Sequence, residues 1–534
     1  MRTVRESALD VLRTRGMTTV FGNPGSTELP FLKRFPDDFR YVLGLQEAVV
    51  VGMADGYALA SGTTALVNLH TGPGTGNAMG AILNARANRT PMVVTAGQQV
   101  RAMLTMEALL ANPQPAQLPQ PAVKWAYEPP RPADVPPALA RAVQLAETPP
   151  HGPVYLSLPM DDFGATVTEE EDQAAQATAA RRVEHATAPL PETVRALAGR
   201  VERARSAVLV VGDDVDASGA WESVVRLAER AGLPVWSAPA SARVSFPHGH
   251  PLYRGELPPA IGPLSRALDG HDLVVVVGAQ VFRYYPYVPG RYLPEGAELV
   301  LVTRDPEEAA KAPVGDAVVA DPAATVQALA AHFPDREPYP ATDRSVCAPQ
   351  TVDGALPPGT ALAAVAEGAP AETLWVNESP SNVPQFHEAA RISTPGSYLF
   401  SAGGGLGFGA AAAVGAQLGA PHRPVVAVLG DGSVHYAVQA LWTAAAYHVP
   451  VTFVVLSNAR YAILQWFAQL EHAQGAPGLD IPGLDIAAIA TGYGVRSFRA
   501  EGAGELTKLV RDATGQHEGP VLIDVPVTTE LPSL

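Results

Sequence analysis

The sequence predicts three doubly wound α/β domains, each a parallel sheet covered by helices on both faces. The first and third are related to each other, and the middle one is Rossmann-like. Three observations carry this prediction. Short apolar runs of strand length alternate with helical patterns along the chain, as parallel sheets buried on both faces require. The first and last thirds repeat one layout. The 534 residues also exceed a single ordinary core, and three domains of roughly 170 residues is the natural division.

The elements follow in order. In the first third, TALVNLH (64–70) reads as a buried strand, TGPGTG (71–76) as a Gly-rich turn, the stretch after it as a helix, and PMVVTAG (91–97) as a second strand. In the last third, PVVAVLG (424–430) is a strand, DGS (431–433) a turn, the next stretch helical from near Val434, and VTFVVLSN (451–458) the second strand. Both thirds close on one pattern, GPVYLSLP (152–159) and GPVLIDVP (519–526). In the middle, SAVLVVG (206–212), LPVWSAP (233–239), DLVVVVGA (272–279) and ELVLVT (298–303) read as buried strands. Two stretches read as linkers: 162–191, with its acidic run Glu169–Asp172, and the Pro- and Asp-rich 333–358. The domains expected are 1–180, 181–341 and 342–534.

Composition narrows the function classes. The chain is 47% hydrophobic and 17% charged, enough for large cores, and its net charge of −16 repels phosphate backbones, so no nucleic-acid partner is expected. Cys347 is the single cysteine; it excludes an intrachain disulfide and fits a reducing cytoplasm. The N-terminus is amphipathic and charged, without a signal-type apolar core. Gly403–Ala420 is long and uncharged, but mostly Gly and Ala. Its transfer energy is weak, so a tightly packed soluble helix is expected rather than a membrane span.

The chemistry concentrates in LGDGS (429–433) and SNAR (457–460). A right-handed βαβ crossover returns the end of its second strand to the sheet edge where the first strand ended. Asn458 is thereby predicted beside Asp431. One carboxylate and one amide oxygen suit a Mg²⁺ (or Ca²⁺) that takes further ligands from phosphate oxygens. Gly430 and Gly432 let backbone approach a diphosphate, Ser433 shares their turn, and the following helix offers its N-terminal amides. GPGTG (72–76) and GGGLGFG (403–409) invite a dinucleotide reading. Neither is followed by an acidic residue at the required distance, so NAD is not expected.

A second constellation lies in FGNPGSTELPFL (21–32), LQEAVVVGMADGYA (45–58) and NLHTGPGTGNAMG (68–80). Singly, each residue has a bland reading: Glu47 a solvated helix residue, Ser26 a turn or N-cap residue, His70 a satisfied strand-end histidine. Together with GDGS, and with VTAGQQVRAM, PVYLSLPMDD, GGGLGF and ALWTAAAYHVP, they resemble the benzoylformate decarboxylase branch of the thiamine-diphosphate-dependent 2-oxo acid decarboxylases along essentially the whole chain.

The resemblance implies a pyrimidine-binding first domain, a diphosphate- and metal-binding third domain, thiamine diphosphate with Mg²⁺ as cofactors, and a small 2-oxo acid as substrate. It implies a homotetramer built from dimers, with each active site between the first domain of one subunit and the third of another. Glu47 would hydrogen-bond the aminopyrimidine ring, favouring the imino form that removes the thiazolium C2 proton. The carbonyl of Gly404 would bind the pyrimidine amino group, and Leu406 would wedge the cofactor into its bent form. The Arg460 carbonyl would be the third protein ligand to the metal. Ser26 would bind the substrate carboxylate. His70 would shuttle protons, an imidazole's ordinary pKa of about 6.5 suiting it to that.

The chain departs from the family pattern in three places. Ser457 stands where the family usually has a first Asn. Tyr285 stands where its first-described members carry a second active-site histidine; a phenol, with an ordinary pKa near 10, is a poor shuttle at neutral pH. Ile463 replaces an alanine. It is grouped with Leu464, Phe467, Phe400, Leu109 and Leu110 around the substrate side chain, narrowing an apolar pocket, although all six could be ordinary core. The expected reaction is non-oxidative decarboxylation of benzoylformate to benzaldehyde. Kept beside it are a branched aliphatic 2-oxo acid as substrate, a carboligase of the same superfamily, and a non-catalytic paralogous subunit, which the intact Glu47, His70 and Asp431 oppose. No feature demands FAD in the middle domain.

Overall fold

The computed structural model describes residues 2–337, 339, 355–515 and 518–531. It contains three six-stranded sheets, and every strand pairing within them is parallel. The first sheet uses Thr19–Gly22, Arg40–Leu43, Ala65–Leu69, Met92–Gln98, Ala126–Tyr127 and Pro153–Pro159. The third uses Leu374–Glu378, Tyr398–Leu399, Val425–Gly430, Val451–Ser457, Arg496–Arg499 and Val521–Pro526. Counted along each domain, both sheets run in the order 2-1-3-4-6-5. The repeat between the first and last thirds is therefore a repeat of topology. The middle sheet, from Ala207–Val211 to Asp316–Val319, runs 3-2-1-4-5-6, the Rossmann order.

The strands expected from apolar runs are all present. The additional strands are mostly edges of two to four residues, too short or too polar to show a pattern. Two expectations are corrected. The Gly-rich segment 71–76 is not a turn: helix Thr71–Ala87 begins directly after His70. The acidic run Glu169–Asp172 is not linker either. It opens helix Glu169–Ala180, with Thr168 and Glu171 forming a capping box and the acids facing the positive helix end. Of the second linker, 340–354 lies outside the described residues, and Cys347 with it.

Helices Glu47–Ser61 and Gly409–Gly419 pack the first domain onto the third. Their contact is made backbone to backbone. A Cβ at Gly56 would lie 2.0 Å from the Ala412 carbonyl oxygen, and one at Gly415 would lie 1.8 Å from that of Met53. This explains the Gly/Ala composition of 409–419, which is buried from Gly409 to Gln417. No helix among the described residues is long and apolar enough to cross a membrane.

First and middle domains meet over a crevice of about 380 Å³ at the switch point of the Rossmann sheet. Ion pairs occupy its walls. Arg89 reaches from the first domain to Asp214 at 2.5 Å and Asp305 at 3.1 Å, and Arg304 also pairs with Asp214 at 3.1 Å. Burial works against the charge on Asp214, but Arg89 and Arg304 together hold its pKa below the ordinary carboxylate value. Stability from this pairing is present above the unfolded carboxylate pKa and is lost as pH falls through the depressed folded value. Arg89→Ala strands the buried Asp214 with one partner. It should lower stability to urea by about 3 kcal/mol at neutral pH, and the gap from wild type should narrow only below about pH 4. Equal urea midpoints at pH 7 would show that the pair does not join the domains.

Candidate active site

The first cluster forms where the loop after Thr19–Gly22 meets the end of Ala65–Leu69. His70 ends that strand and precedes helix Thr71–Ala87. Its Nδ1 lies 2.9 Å from Glu28 Oε2 and 3.2 Å from Thr27 Oγ1. Glu28 is almost fully buried and is satisfied on both oxygens. Its Oε2 accepts from the Gly25 amide at 2.8 Å; its Oε1 accepts from the Gly97 amide at 2.9 Å and the Thr27 hydroxyl at 2.7 Å. Such a carboxylate fixes the imidazole with Nδ1–H donating and leaves Nε2 free for proton transfer. Gly25 is required here, since a Cβ would fall 2.1 Å from the His70 ring. Ser26, next in the loop, is exposed.

Glu47 opens helix Glu47–Ser61 and is buried. Gln46 caps that helix, its Oε1 accepting from the amides of Ala48 and Val49. The side chain of Asn77 donates to Glu47 Oε2 at 3.1 Å. A Cβ at Gly74 would meet Glu47 Oε1 at 3.3 Å and His70 Cβ at 3.5 Å. Gly74 thus lets the start of this helix lie against both Glu47 and His70. Between them Thr71 is buried with φ +42°, a backbone region that β-branched residues rarely adopt, and its hydroxyl has no hydrogen-bond partner.

The second cluster lies at the carboxyl ends of Val425–Gly430 and Val451–Ser457. Asp431 Oδ2 accepts from the amides of Asn458 and Ala459 at 2.9 and 2.6 Å, and Oδ1 from that of Gly432 at 2.8 Å. Burial raises the Asp431 pKa, and the three amides oppose it. Asn458 Oδ1 accepts from the Arg460 amide at 3.0 Å. The GDGS turn is itself helical over Asp431–Val434, so the helix starts three residues earlier than the sequence suggests. Of the two glycines, Gly432 is sterically required: a Cβ there would lie 2.4 Å from the Tyr461 ring, whereas at Gly430 it would meet Ser433 Oγ at 3.4 Å and the Glu378 carbonyl oxygen at 3.9 Å, ordinary contacts. Ser457, the departure from the double Asn, donates to Asp524 at 2.5 Å.

Asp431 and Asn458 offer oxygen donors of the kind a hard divalent cation takes, while Arg460, two residues on, is exposed and pairs with Asp480. No group of three or more His, Cys, Asp or Glu suited to a metal occurs among the described residues. A cation here would therefore complete its shell from diphosphate and water.

Gly404 and Leu406 lie in the loop entering helix Gly409–Gly419. Gly404 has φ +68° and is exposed, and Leu406 is half-buried. Asn84 donates to the Gly405 carbonyl at 2.9 Å. The expected pocket residues divide. Tyr285, 71% exposed, lies against Phe467 with ring centroids 4.7 Å apart, and helix Ala462–Leu470 also carries Ile463 and Leu464. Phe400 stacks on Tyr398. Leu109 and Leu110 follow the short helix Arg101–Leu104 of the first domain. They join none of the hydrophobic clusters, and Leu109 is 85% exposed.

Sequence reasoning missed Glu28. A glutamate between Thr27 and Leu29 reads as a solvated loop residue, and only the apolar LPFL after it hints at burial.

Two topologically matched α/β domains flank a Rossmann-like one. The first presents a carboxylate-fixed imidazole and the third an oxygen-rich turn at the carboxyl ends of two neighbouring strands. The chain belongs to the thiamine pyrophosphate enzyme family. Residues 2–117 match its N-terminal TPP binding domain, 194–329 its central domain and 381–525 its C-terminal TPP binding domain. Benzoylformate decarboxylase of Pseudomonas aeruginosa is 50% identical over 99% of both chains. Acetolactate synthase isozyme 1 large subunit of Escherichia coli is 27% identical over 98% of this chain and 94% of its own. The solved 4-hydroxybenzoylformate decarboxylase of Rhodococcus jostii superposes with TM-score 0.95 at 45% identity, covering 99% of this chain and 100% of its own. Benzoylformate decarboxylase of Polynucleobacter necessarius does so with TM-score 0.93 at 43% identity, with full coverage of both.

The buried Glu28 yields a prediction. Glu28→Gln removes the charge that orients His70 and should lower kcat roughly 10- to 100-fold, with little change in the affinity of a non-reacting substrate analogue. Steady-state kinetics and inhibitor titration read both. A wild-type kcat would make Glu28 a purely structural residue.

Proposed function

We propose that this chain decarboxylates benzoylformate to benzaldehyde and CO₂, with thiamine diphosphate held through Mg²⁺. The observation that carries the substrate assignment is 50% identity over essentially the full length to a benzoylformate decarboxylase. The contact of His70 with the buried Glu28 supports the chemistry. When bound, the cofactor supplies the nucleophile and the electron sink for loss of CO₂.

The chain's residues do the rest. Asp431, Asn458 and the Arg460 carbonyl hold the cation, and Gly430, Gly432 and Ser433 line the diphosphate. Glu47 hydrogen-bonds the pyrimidine ring. The Gly404 carbonyl would accept from its amino group, and Leu406 would pack against it. Ser26 binds the substrate carboxylate. His70, fixed through Nδ1, uses Nε2 to move protons at the reacting carbon. The functional domains are 1–180, 181–341 and 342–534. The working form is a cytoplasmic homotetramer, a dimer of dimers, in which Leu109 and Leu110 of one copy close the pocket against Phe400, Ile463, Leu464 and Phe467 of another. The exposure of Leu109 in the single chain supports this.

Tyr285 favours a second outcome. A phenol there would be a poor proton donor at neutral pH, so an added aldehyde should compete with protonation and carboligation should accompany decarboxylation. One experiment tests both readings. The protein with thiamine diphosphate and Mg²⁺ is given benzoylformate, branched aliphatic 2-oxo acids and, in parallel, excess acetaldehyde; CO₂, aldehyde and hydroxyketone are quantified. Benzoylformate should be the best substrate, and Tyr285→His should shift products toward free benzaldehyde. Turnover of aliphatic acids alone would overturn the substrate, the narrowing by Ile463 then dominating. Identical product ratios in the two proteins would make residue 285 a pocket wall.

A further inference from the structure

Glu378 is a fully buried carboxyl outside the acid–base and metal clusters. It ends strand Leu374–Glu378, whose neighbour Val425–Gly430 leads into Asp431, and on that shared edge it is paired with Leu429. Its Oε1 accepts from the amides of Gly407 and Phe408, each at 2.9 Å. These amides immediately precede helix Gly409–Gly419, which has no side-chain cap from its own N-cap residue. A carboxyl on a separate strand therefore caps the helix.

The helix start is built around this group. A Cβ at Gly409 would lie 2.7 Å from Glu378 Cβ, so only glycine lets the two approach. Gly407 has φ +100°, which turns its amide inward and is a conformation reserved for glycine. The loop has two further anchors, both from the first domain: Asn84 to the Gly405 carbonyl, and Asn88, whose Oδ1 accepts from the Ala402 amide at 2.8 Å. Asn88 is itself held by the buried Asp55 at 2.8 Å. Residues 402–408 are thus pinned at the start, middle and end, while the tip, Gly403 to Gly405, stays exposed.

We propose that Glu378 is a positioning residue for the cofactor: by fixing the amides of Gly407 and Phe408 it sets the placement of Leu406 and of the Gly404 carbonyl. This rests on the reading of Gly404 and Leu406 as cofactor contacts. Burial pushes the Glu378 pKa up to about 8, against the pull of the Phe408, Gly409 and Gly407 amides, so the group is mostly uncharged at neutral pH. The hydrogen bonds to Gly407 and Phe408 both fall on Oε1, which provides the anchor. Glutamine, neutral and with one acceptor oxygen, should therefore replace it closely. Leucine keeps the volume and loses the acceptor.

The test compares Glu378→Gln and Glu378→Leu by backbone hydrogen exchange of the cofactor-free protein and by calorimetric titration with thiamine diphosphate and Mg²⁺. In Glu378→Leu, exchange over 403–410 should rise at least 10-fold while exchange in the central sheet stays at wild-type rates. Cofactor affinity should fall at least 10-fold. Glu378→Gln should stay within about threefold of wild type in both. Unchanged exchange over 403–410 in the leucine variant, or a glutamine variant as impaired as leucine, would overturn the proposal. Raised exchange with unchanged affinity would also overturn it, and would specifically remove Gly404 and Leu406 from the cofactor site.

Discussion

Asp431 ties together the ends of two neighbouring strands. Its carboxylate is held by three backbone amides, one from its own turn and two from the loop after Val451–Ser457. A buried carboxyl is expensive to leave unpaired, so these amides fix the spacing between the loops as well as the side chain. The start of the loop after Val451–Ser457, with Asn458, is thereby held beside the Asp431 turn. The packing of Tyr461 over Gly432 follows from that spacing and requires the glycine. Helix Ala462–Leu470 follows directly after Tyr461, so its start is fixed by the same packing.

The domain pair gives the junction its context. The first and third sheets share one strand order, and each places its chemical groups at the carboxyl ends of the strands. The first domain places Glu47 and His70 there, and the third Asp431 and Asn458. Their helices Glu47–Ser61 and Gly409–Gly419 meet through glycine and alanine, so the domains pack rigidly over a surface too close for larger side chains. Glu47 begins one of these helices, and the Leu406 loop leads into the other. In the middle domain, charged pairs line the switch-point crevice and join it to the first domain.

The fold was largely legible in the sequence because central parallel strands are continuous apolar runs. The edge strands were not, since Ala126–Tyr127 and Tyr398–Leu399 have too few residues for any period. The Gly-rich segment 71–76 misled because glycine usually marks a turn, and here it marks a helix that must approach Glu47 and His70. Strand spacing alone put Asp431 beside Asn458, because a right-handed βαβ crossover returns the second strand to the same edge. Glu28 and Glu378 escaped because a buried carboxyl looks in sequence like a solvated one; only the amides of Gly25, Gly97, Gly407 and Phe408 reveal the difference. Substrate preference is harder to read, because Tyr285, Leu109 and Leu464 are exposed in the single chain.

The central claim is that the Asp431–Asn458 junction is where the cofactor is gripped. The direct measurement is calorimetric titration of thiamine diphosphate in the presence of Mg²⁺ into Asp431→Asn and Asn458→Ala, with circular dichroism confirming the fold. Asp431→Asn keeps an oxygen for the amides and removes the charge. The account predicts no measurable binding to Asp431→Asn and binding weakened at least 10-fold in Asn458→Ala, both proteins remaining folded. Wild-type affinity in both variants would contradict it.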